Sequence, residues 1–284
     1  MMGDVPDYLL IGHVTADLTP QGRIAGGTVS YAVRTAHAFG LRVGVLTSTL
    51  PDDPVLDEIR PYAHELISLP ANDTTTYENI YTPEGRVQYV RGLAAPIEPE
   101  DIPEHFRQAR LVHLAPIAGE INPAVASLFS PEATVLLTLQ GWLRRWDADG
   151  RVHFKRWFDP AALEHMDIVV FSEEDIVESP QMEQEFNGAV EHLFVTRAEK
   201  GGTHYRRGVA RDFTTHPVEV VNPTGAGDVF ATSLLASHHA LGADIEKATQ
   251  IACLMGALAV TRVGLVSAPT PDEVVAALAE VSQA

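Results

Sequence analysis

The densest chemical content in the chain lies in Asn222-Pro223-Thr224-Gly225-Ala226-Gly227-Asp228-Val229-Phe230-Ala231. This stretch follows an apolar run, residues 218–221, and precedes a long segment rich in small residues that reads as a helix. A Gly-Ala-Gly run lets backbone N–H groups approach a ligand with no side chain in the way. At a helix N-terminus those donors and the helix dipole favour an anion. An acid directly after such a nest would repel the anion. Asp228 makes sense there if it acts on a hydroxyl that attacks a phosphorus atom. The amides of Gly225, Ala226 and Gly227 then stabilise charge on the transferring phosphoryl group, and the carboxylate takes the hydroxyl's proton. The plainer alternative is an N-capping loop in which glycine makes a turn and Asp228 faces solvent. Spacing alone leaves both open. The GxxxxGK[ST], GxGxxG, protein-kinase, G-x-S-x-G and H-E-x-x-H patterns are absent.

Alternating strands and helices would have to position these residues. Residues 8–12 form a short apolar run ending in Gly12, a buried strand. Residues 28–39 read as a helix closed by Gly40, and 42–49 as the next strand. A helix is expected over 54–63, with Asp52 or Asp53 near its N-cap and Pro54 in its first turn. Residues 73–92 differ: two β-prone, largely polar stretches flank Pro83-Glu84-Gly85, which predicts a hairpin with one wet or covering face. Apolar runs at 110–115, 134–139, 167–172 and 192–196 continue the α/β rhythm. A second hairpin is expected from 203–205 and 209–213 around Arg207-Gly208, followed by helices at 225–241, 244–263 and 271–281. The pattern implies a mainly parallel sheet with helices on both faces.

Composition narrows the function classes. The 284 residues carry 20 basic and 38 acidic side chains, a net charge of −18, and include three lysines and one cysteine. Phosphate-backbone binding needs clustered Lys and Arg, so nucleic acid is disfavoured as a partner. A single Cys excludes a disulfide framework and a Cys-rich zinc site. No run approaches the ~20 apolar residues of a membrane span, and the first seven residues lack the basic start of a signal peptide. A cytoplasmic protein without membrane contact is expected. No repeat or linker divides the chain, so residues 1–284 read as one domain.

With these residues in view, Asn222 to Asp228 resembles the D-T-x-G-A-G-D signature of the ribokinase-like (phosphofructokinase-B type) carbohydrate kinases. Gly12-His13-Val14-Thr15-Ala16-Asp17 resembles that family's N-terminal G-x-x-x-x-D, and Gly26-Gly27-Thr28 its di-glycine hinge. Val195-Thr196-Arg197-Ala198-Glu199-Lys200-Gly201-Gly202 resembles V-T-x-G-x-x-G, and Ala257 to Gly264 the Ala-rich helix end near the adenine. The resemblance implies a three-layer αβα sandwich with a small β lid, drawn here from about 18–24 and 73–92. It implies transfer of the γ-phosphoryl group of ATP, with Mg²⁺, to a hydroxyl of a small polyol, cyclitol, sugar or nucleoside. Asp228 would be the base, with Gly225, Ala226 and Gly227 as the anion hole. Asp17, Gly26 and Gly27 would bind the acceptor. Thr196, Ala198, Gly201, Thr224, Gly225 and Gly227 would line the nucleotide. A monomer or homodimer is expected.

Departures from the family pattern matter. Asn222 replaces the first acid of the signature, which puts potassium activation in doubt. The N-x-x-E that helps place Mg²⁺ falls on Ser172-Glu173-Glu174-Asp175, leaving Asp175, through water, as the metal contact. The Asn that often follows the di-glycine is missing from Val29-Ser30-Tyr31, so ribose-type recognition is not supported. Gln140-Gly141-Trp142-Leu143-Arg144 is similar to the inositol-kinase-like branch, and Tyr89-Val90-Arg91 to the Tyr-x-Arg of kinases for ketodeoxy sugar acids. Arg91 and Arg144 are therefore acceptor-site candidates, each with a solvated role as its alternative. Trp142 reads as packing or as a sugar-stacking ring, Cys253 as a buried inert thiol, and His238-His239 as surface residues rather than a metal pair. The competing function is a nucleotide- or sugar-binding regulator on the same fold that has lost catalysis.

Overall fold

The structure, a computed structural model, describes residues 4–20, 22–82 and 85–283. Strand β1 (Tyr8–Ile11) is buried along its whole length and leads into a hairpin, β2 (Thr15–Thr19) and β3 (Gly22–Gly26). Helix α1 (Gly27–Ala38) follows, and Gly40 past its C-cap has φ +77°, the left-handed conformation read from the sequence. Then come β4 (Val43–Thr49), β5 (Glu65–Pro70), and the hairpin strands β6 (Thr76–Thr82) and β7 (Gly85–Gly92). Strands β8 (Leu111–Leu114) and β9 (Thr134–Thr138) precede a short hairpin, β10 (Arg144–Trp146) and β11 (Val152–Phe154). Helix α2 (Pro160–Leu163), β12 (Ile168–Ser172), α3 (Met182–Asn187), β13 (His192–Thr196), β14 (Gly202–Arg206) and β15 (Val209–Phe213) complete the alternation. Helices α4 (Ala226–Ala240), α5 (Ile245–Ala259) and α6 (Pro271–Gln283) close the chain.

The nine-stranded sheet has the order β15-β14-β13-β12-β9-β8-β1-β4-β5. Every pairing from β13 to β5 is parallel, and β14 and β15 add an antiparallel edge. Alternate residues divide between two cores. Tyr8 and Leu10 pack with α1, α4 and α5, while Leu9 and Ile11 pack on the other face. Helices α1, α4, α5 and α6 form one layer. The opposite layer is made of α2, α3 and short 3₁₀ turns such as Pro123–Leu128 and Leu139–Leu143. A fully helical second face is therefore not what forms.

A second sheet, β3-β2-β6-β7, is the lid. The sequence reading assigned one lid strand to 18–24, but that region supplies the hairpin β2–β3. Gln21, Pro83 and Glu84, the last two read as the turn of the long hairpin, lie outside the described residues. Loop 147–151 docks on the β7 edge, where Val90 N–H donates to the Gly150 carbonyl at 2.8 Å.

Three further expectations change. Residues 54–63 form two 3₁₀ turns, Pro54–Glu58 and Arg60–Tyr62, instead of one α-helix, because Pro61 has no N–H to continue the ladder. Asp53 caps the first turn through Val55 N at 3.1 Å. Strand β5 and the β10–β11 hairpin were not anticipated, and α5 ends four residues short of 263.

Candidate active site

In open α/β sheets ligands sit outside the carboxyl ends of the parallel strands. Those ends here are followed by Gly12 (β1), Leu139 (β9), Glu173 (β12) and Arg197 (β13). The N-terminus of α4 joins them. Gly225 is its N-cap with φ +87°, and a Cβ there would lie 2.4 Å from the Tyr31 ring, so both the backbone conformation and the space require glycine. Asp228 stands in the first turn.

The Asp228 carboxyl is pushed up to about 6, chiefly by burial. A hydrogen bond with Thr28 and the Arg144 charge pull it down, and Asp175 pushes it up. At the N-terminus of α1, Gly26 abuts Asp17: a Cβ on Gly26 would lie 2.2 Å from Asp17 Oδ2. The Tyr31 phenol is raised above its usual range by burial, then by the charges of Asp228 and Asp17. Asp17, Thr28, Tyr31, Arg144 and Asp228 thus converge on one cleft from four separate segments, Thr28 and Tyr31 both lying on α1.

The lid closes that cleft. Asp17 of β2 is in register with Tyr77 of β6, and Tyr77 with Val90 of β7, so all three share a face. The Tyr77 hydroxyl donates to the Ile117 carbonyl at 2.7 Å. Arg144 Nη1 donates to the same oxygen at 3.1 Å, with its guanidinium 5.4 Å from the Tyr77 ring centroid. Ile117 is itself held by Glu120, a carboxylate only 5% exposed. Glu120 accepts from His13 N at 2.8 Å, Ile117 N at 3.0 Å and Ala118 N at 2.8 Å. Backbone donors replace the cation a buried carboxylate usually needs.

His13 ties the same unit to the lid stems. Its Nε2–H donates to the Ala95 carbonyl at 2.9 Å. That fixes Nδ1 as the acceptor from the Thr75 hydroxyl at 2.7 Å in the neutral ring.

The other sequence candidates fall as follows. Arg91 is on the lid face opposite Tyr77: it pairs with Glu78 at 2.7 Å, donates to the Asp149 carbonyl at 3.2 Å and stacks on Tyr89. The structure does not bring it together with Asp17 and Asp228. Trp142 is buried, with its indole N–H on the Ile121 carbonyl and its ring 4.4 Å from Trp157, which is packing. Burial pushes the Cys253 thiol up to about 12. His238 lies edge-on to His192, 6.4 Å between centroids.

Thr196, Ala198 and Gly201 lie at and just after the carboxyl end of β13, and Thr224 just before α4. Ala198 adopts φ +48°, a left-handed position where the resembled motif has glycine. Arg197 is anchored by Glu183 at 2.6 Å and by Thr203 at 2.9 Å. Val221 N–H and Asn222 N–H both donate to the Val260 carbonyl, drawing 218–222 onto the end of α5. Val220 and Val221 keep 56% and 58% of their surface exposed there.

For the metal, Asp175 is oriented but engaged. Oδ2 accepts from Ser172 N at 2.9 Å and Oδ1 from Gln140 Nε2 at 3.2 Å. Ser172 in turn accepts from Glu174 N, so the Ser-x-x-Asp run is a capping box. Carboxylate oxygens have further lone pairs, and Mg²⁺ keeps several waters, so a water-mediated contact fits this residue. Asn222 Oδ1 is committed to Thr224 N at 2.8 Å. Thr28, Tyr31, Tyr77 and Glu120 were not singled out from the sequence. Only Tyr31 had left a signal, as the departure after the di-glycine.

Comparison with known proteins agrees with this architecture. Residues 160–273 match the model of the pfkB family of carbohydrate kinases. The cytidine kinase of Thermococcus kodakarensis is 27% identical over 251 residues, covering 82% of this chain and 88% of that protein. The inositol 3-kinase of Zea mays is 25% identical over 285 residues, covering 90% and 73%. Over residues 160–273 the chain carries a pfkB-type carbohydrate kinase match, and the two relatives named are both kinases. Its ribokinase fold is shared with Arabidopsis thaliana ribokinase complexed with ribose and ATP, at TM-score 0.75 and 17% identity over 96% of this chain and 99% of that one. A pyrophosphate-dependent kinase of the ribokinase family, complexed with a pyrophosphate analogue and myo-inositol, aligns at TM-score 0.79 and 20% identity over 95% and 99%. Among the described residues, no helix is long and apolar enough to cross a membrane.

Proposed function

We propose that this kinase transfers the γ-phosphoryl group of ATP to a hydroxyl of a small, neutral polyol, cyclitol, sugar or nucleoside. The observation that carries the reading is the half-buried Asp228 in the first turn of α4, directly after the Gly225-Ala226-Gly227 backbone, with its carboxyl pushed up to about 6. A carboxyl with a pKa of about 6 is mostly ionised at neutral pH and close enough to it to accept a proton. The acceptor oxygen attacks phosphorus, its proton passes to Asp228, and the bond between the γ-phosphorus and its bridging oxygen breaks to release ADP. The amides of Gly225, Ala226 and Gly227 stabilise the charge on the transferring group. Asp17 accepts hydrogen bonds from the acceptor's hydroxyls, and Arg144 brings the balancing positive charge. Mg²⁺ bound to the donor phosphates would be met through water by Asp175 and would neutralise phosphate charge.

Thr196, Ala198, Gly201 and Thr224 line the nucleotide in this reading. The exposed Val220 and Val221 favour a donor that carries a base, because an apolar wall has nothing to offer pyrophosphate alone. The test is ADP formation from ATP, and phosphate formation from pyrophosphate, over myo-inositol, fructose, ribose, cytidine and adenosine. Acceptor-dependent ADP is expected with at least one of them. No acceptor dependence with either donor would overturn the proposal in favour of a non-catalytic binding protein.

A further inference from the structure

Resting on the kinase reading above, we propose that Tyr31 binds the acceptor, its hydroxyl donating a hydrogen bond to an acceptor oxygen beside the one that reacts. Tyr31 is only 5% exposed and packs among Val229, Ile251 and Met255 between the helices. Its ring lies against Gly225: the Cζ that bears the hydroxyl is 2.8 Å from where a Gly225 Cβ would stand. The hydroxyl therefore emerges at the opening of α4. Among the described residues no group accepts or donates a hydrogen bond to it. The hydroxyl is not one of the fully buried polar atoms left without a partner, so although the ring is buried its oxygen is open at the cleft, where a ligand or water completes it.

The chemistry of the neighbours points to an acceptor rather than to the donor's phosphates. Asp17 and Asp228 are the charges that act on the phenol. Ionised carboxylates only accept hydrogen bonds, so they satisfy the protons of a polyhydroxylated ligand but not its oxygen lone pairs. Donors must come from elsewhere, and the Tyr31 hydroxyl and Arg144 are the groups in this cleft that provide them. Burial and two like charges keep the phenol protonated, hence a donor, across the working pH range. An anionic group between the same two carboxylates would be repelled, so the position selects neutral hydroxylated acceptors.

Tyr31→Phe separates the hydroxyl from the ring. With myo-inositol, fructose or cytidine, whichever gives turnover, the variant is expected to raise the acceptor KM about 10-fold. The ATP KM should stay within about twofold, and the melting temperature should be unchanged or higher, because the ring still packs on Gly225. Tyr31→Ala removes the ring as well and should also lower kcat by loosening Gly225. An unchanged acceptor KM in Tyr31→Phe, or equal rises in the acceptor and ATP KM values, overturns the inference while leaving the kinase reading intact. A wild-type enzyme with no acceptor-dependent turnover overturns the reading and the inference together.

Discussion

If Asp228 is the base, its titration must appear in the pH dependence of turnover. The carboxyl sits at about 6 because burial outweighs the Thr28 hydrogen bond and the Arg144 charge. The ionised fraction is then ~91% at pH 7 and ~9% at pH 5, so kcat at saturating substrates should fall roughly tenfold across that interval. Below pH 6 the logarithm of kcat should approach a slope of one. The sign of the second perturbation follows from the same geometry. Arg144 lowers the Asp228 pKa, so Arg144→Gln should move the midpoint upward and leave the enzyme less active at pH 6 than at pH 8 by a wider margin than wild type. ADP should be quantified directly by chromatography, which avoids coupling enzymes with their own pH profiles. A profile flat from pH 5 to 7.5, or an Arg144→Gln midpoint that moves down, would refute the reasoning.

Two other outcomes follow from single contacts. Gly225→Ala places a Cβ in a left-handed position and 2.4 Å from the Tyr31 ring. The backbone strain alone is about 1–3 kcal/mol, so kcat/KM for the donor should drop by roughly 10- to 100-fold, and wild-type kinetics would show that the anion hole is elsewhere. At the other end of the sheet, His192 and His204 share a hydrogen bond of 2.9 Å, and burial pushes each ring down to about 4. Their folded pKa values lie below the unfolded 6.5, so the unfolded chain binds more protons and stability is lost as pH falls from about 6.5 towards 4. The loss between pH 7 and 4.5 is on the order of 2 kcal/mol for one ring, visible as a lower urea midpoint. The double variant His192→Phe/His204→Phe should flatten that dependence, and an unchanged slope would contradict the assignment.

Much of the architecture was legible because buried parallel strands are written as short apolar runs. Residues 110–115, 134–139, 167–172 and 192–196 all matched strands to within a residue or so. Strand β5 was missed because it is an edge strand, half-buried, with Glu65 and Pro70 at its ends. The 54–63 helix was overread because Asp53 and Pro54 signal a start equally well for an α-helix and a 3₁₀ turn. In the site, Gly225 and Asp228 stood out because glycine and an acid at a helix start demand an explanation. Thr28, Tyr31, Tyr77 and Glu120 did not, because an ordinary residue in a helix, strand or turn gains its role only from what lies across from it. Arg91 illustrates the converse: its motif was suggestive, but the alternation of β7 turns it to the face of Glu78, away from Tyr77.

The central claim, that Asp228 removes the acceptor's proton, is tested most directly by Asp228→Asn. The substitution keeps the size of the side chain and the Thr28 contact but cannot take the proton. The account predicts a kcat lowered by about 10²- to 10⁴-fold, with ATP affinity by titration calorimetry within about threefold of wild type. Turnover within tenfold of wild type would contradict it, as would loss of ATP binding in parallel with turnover.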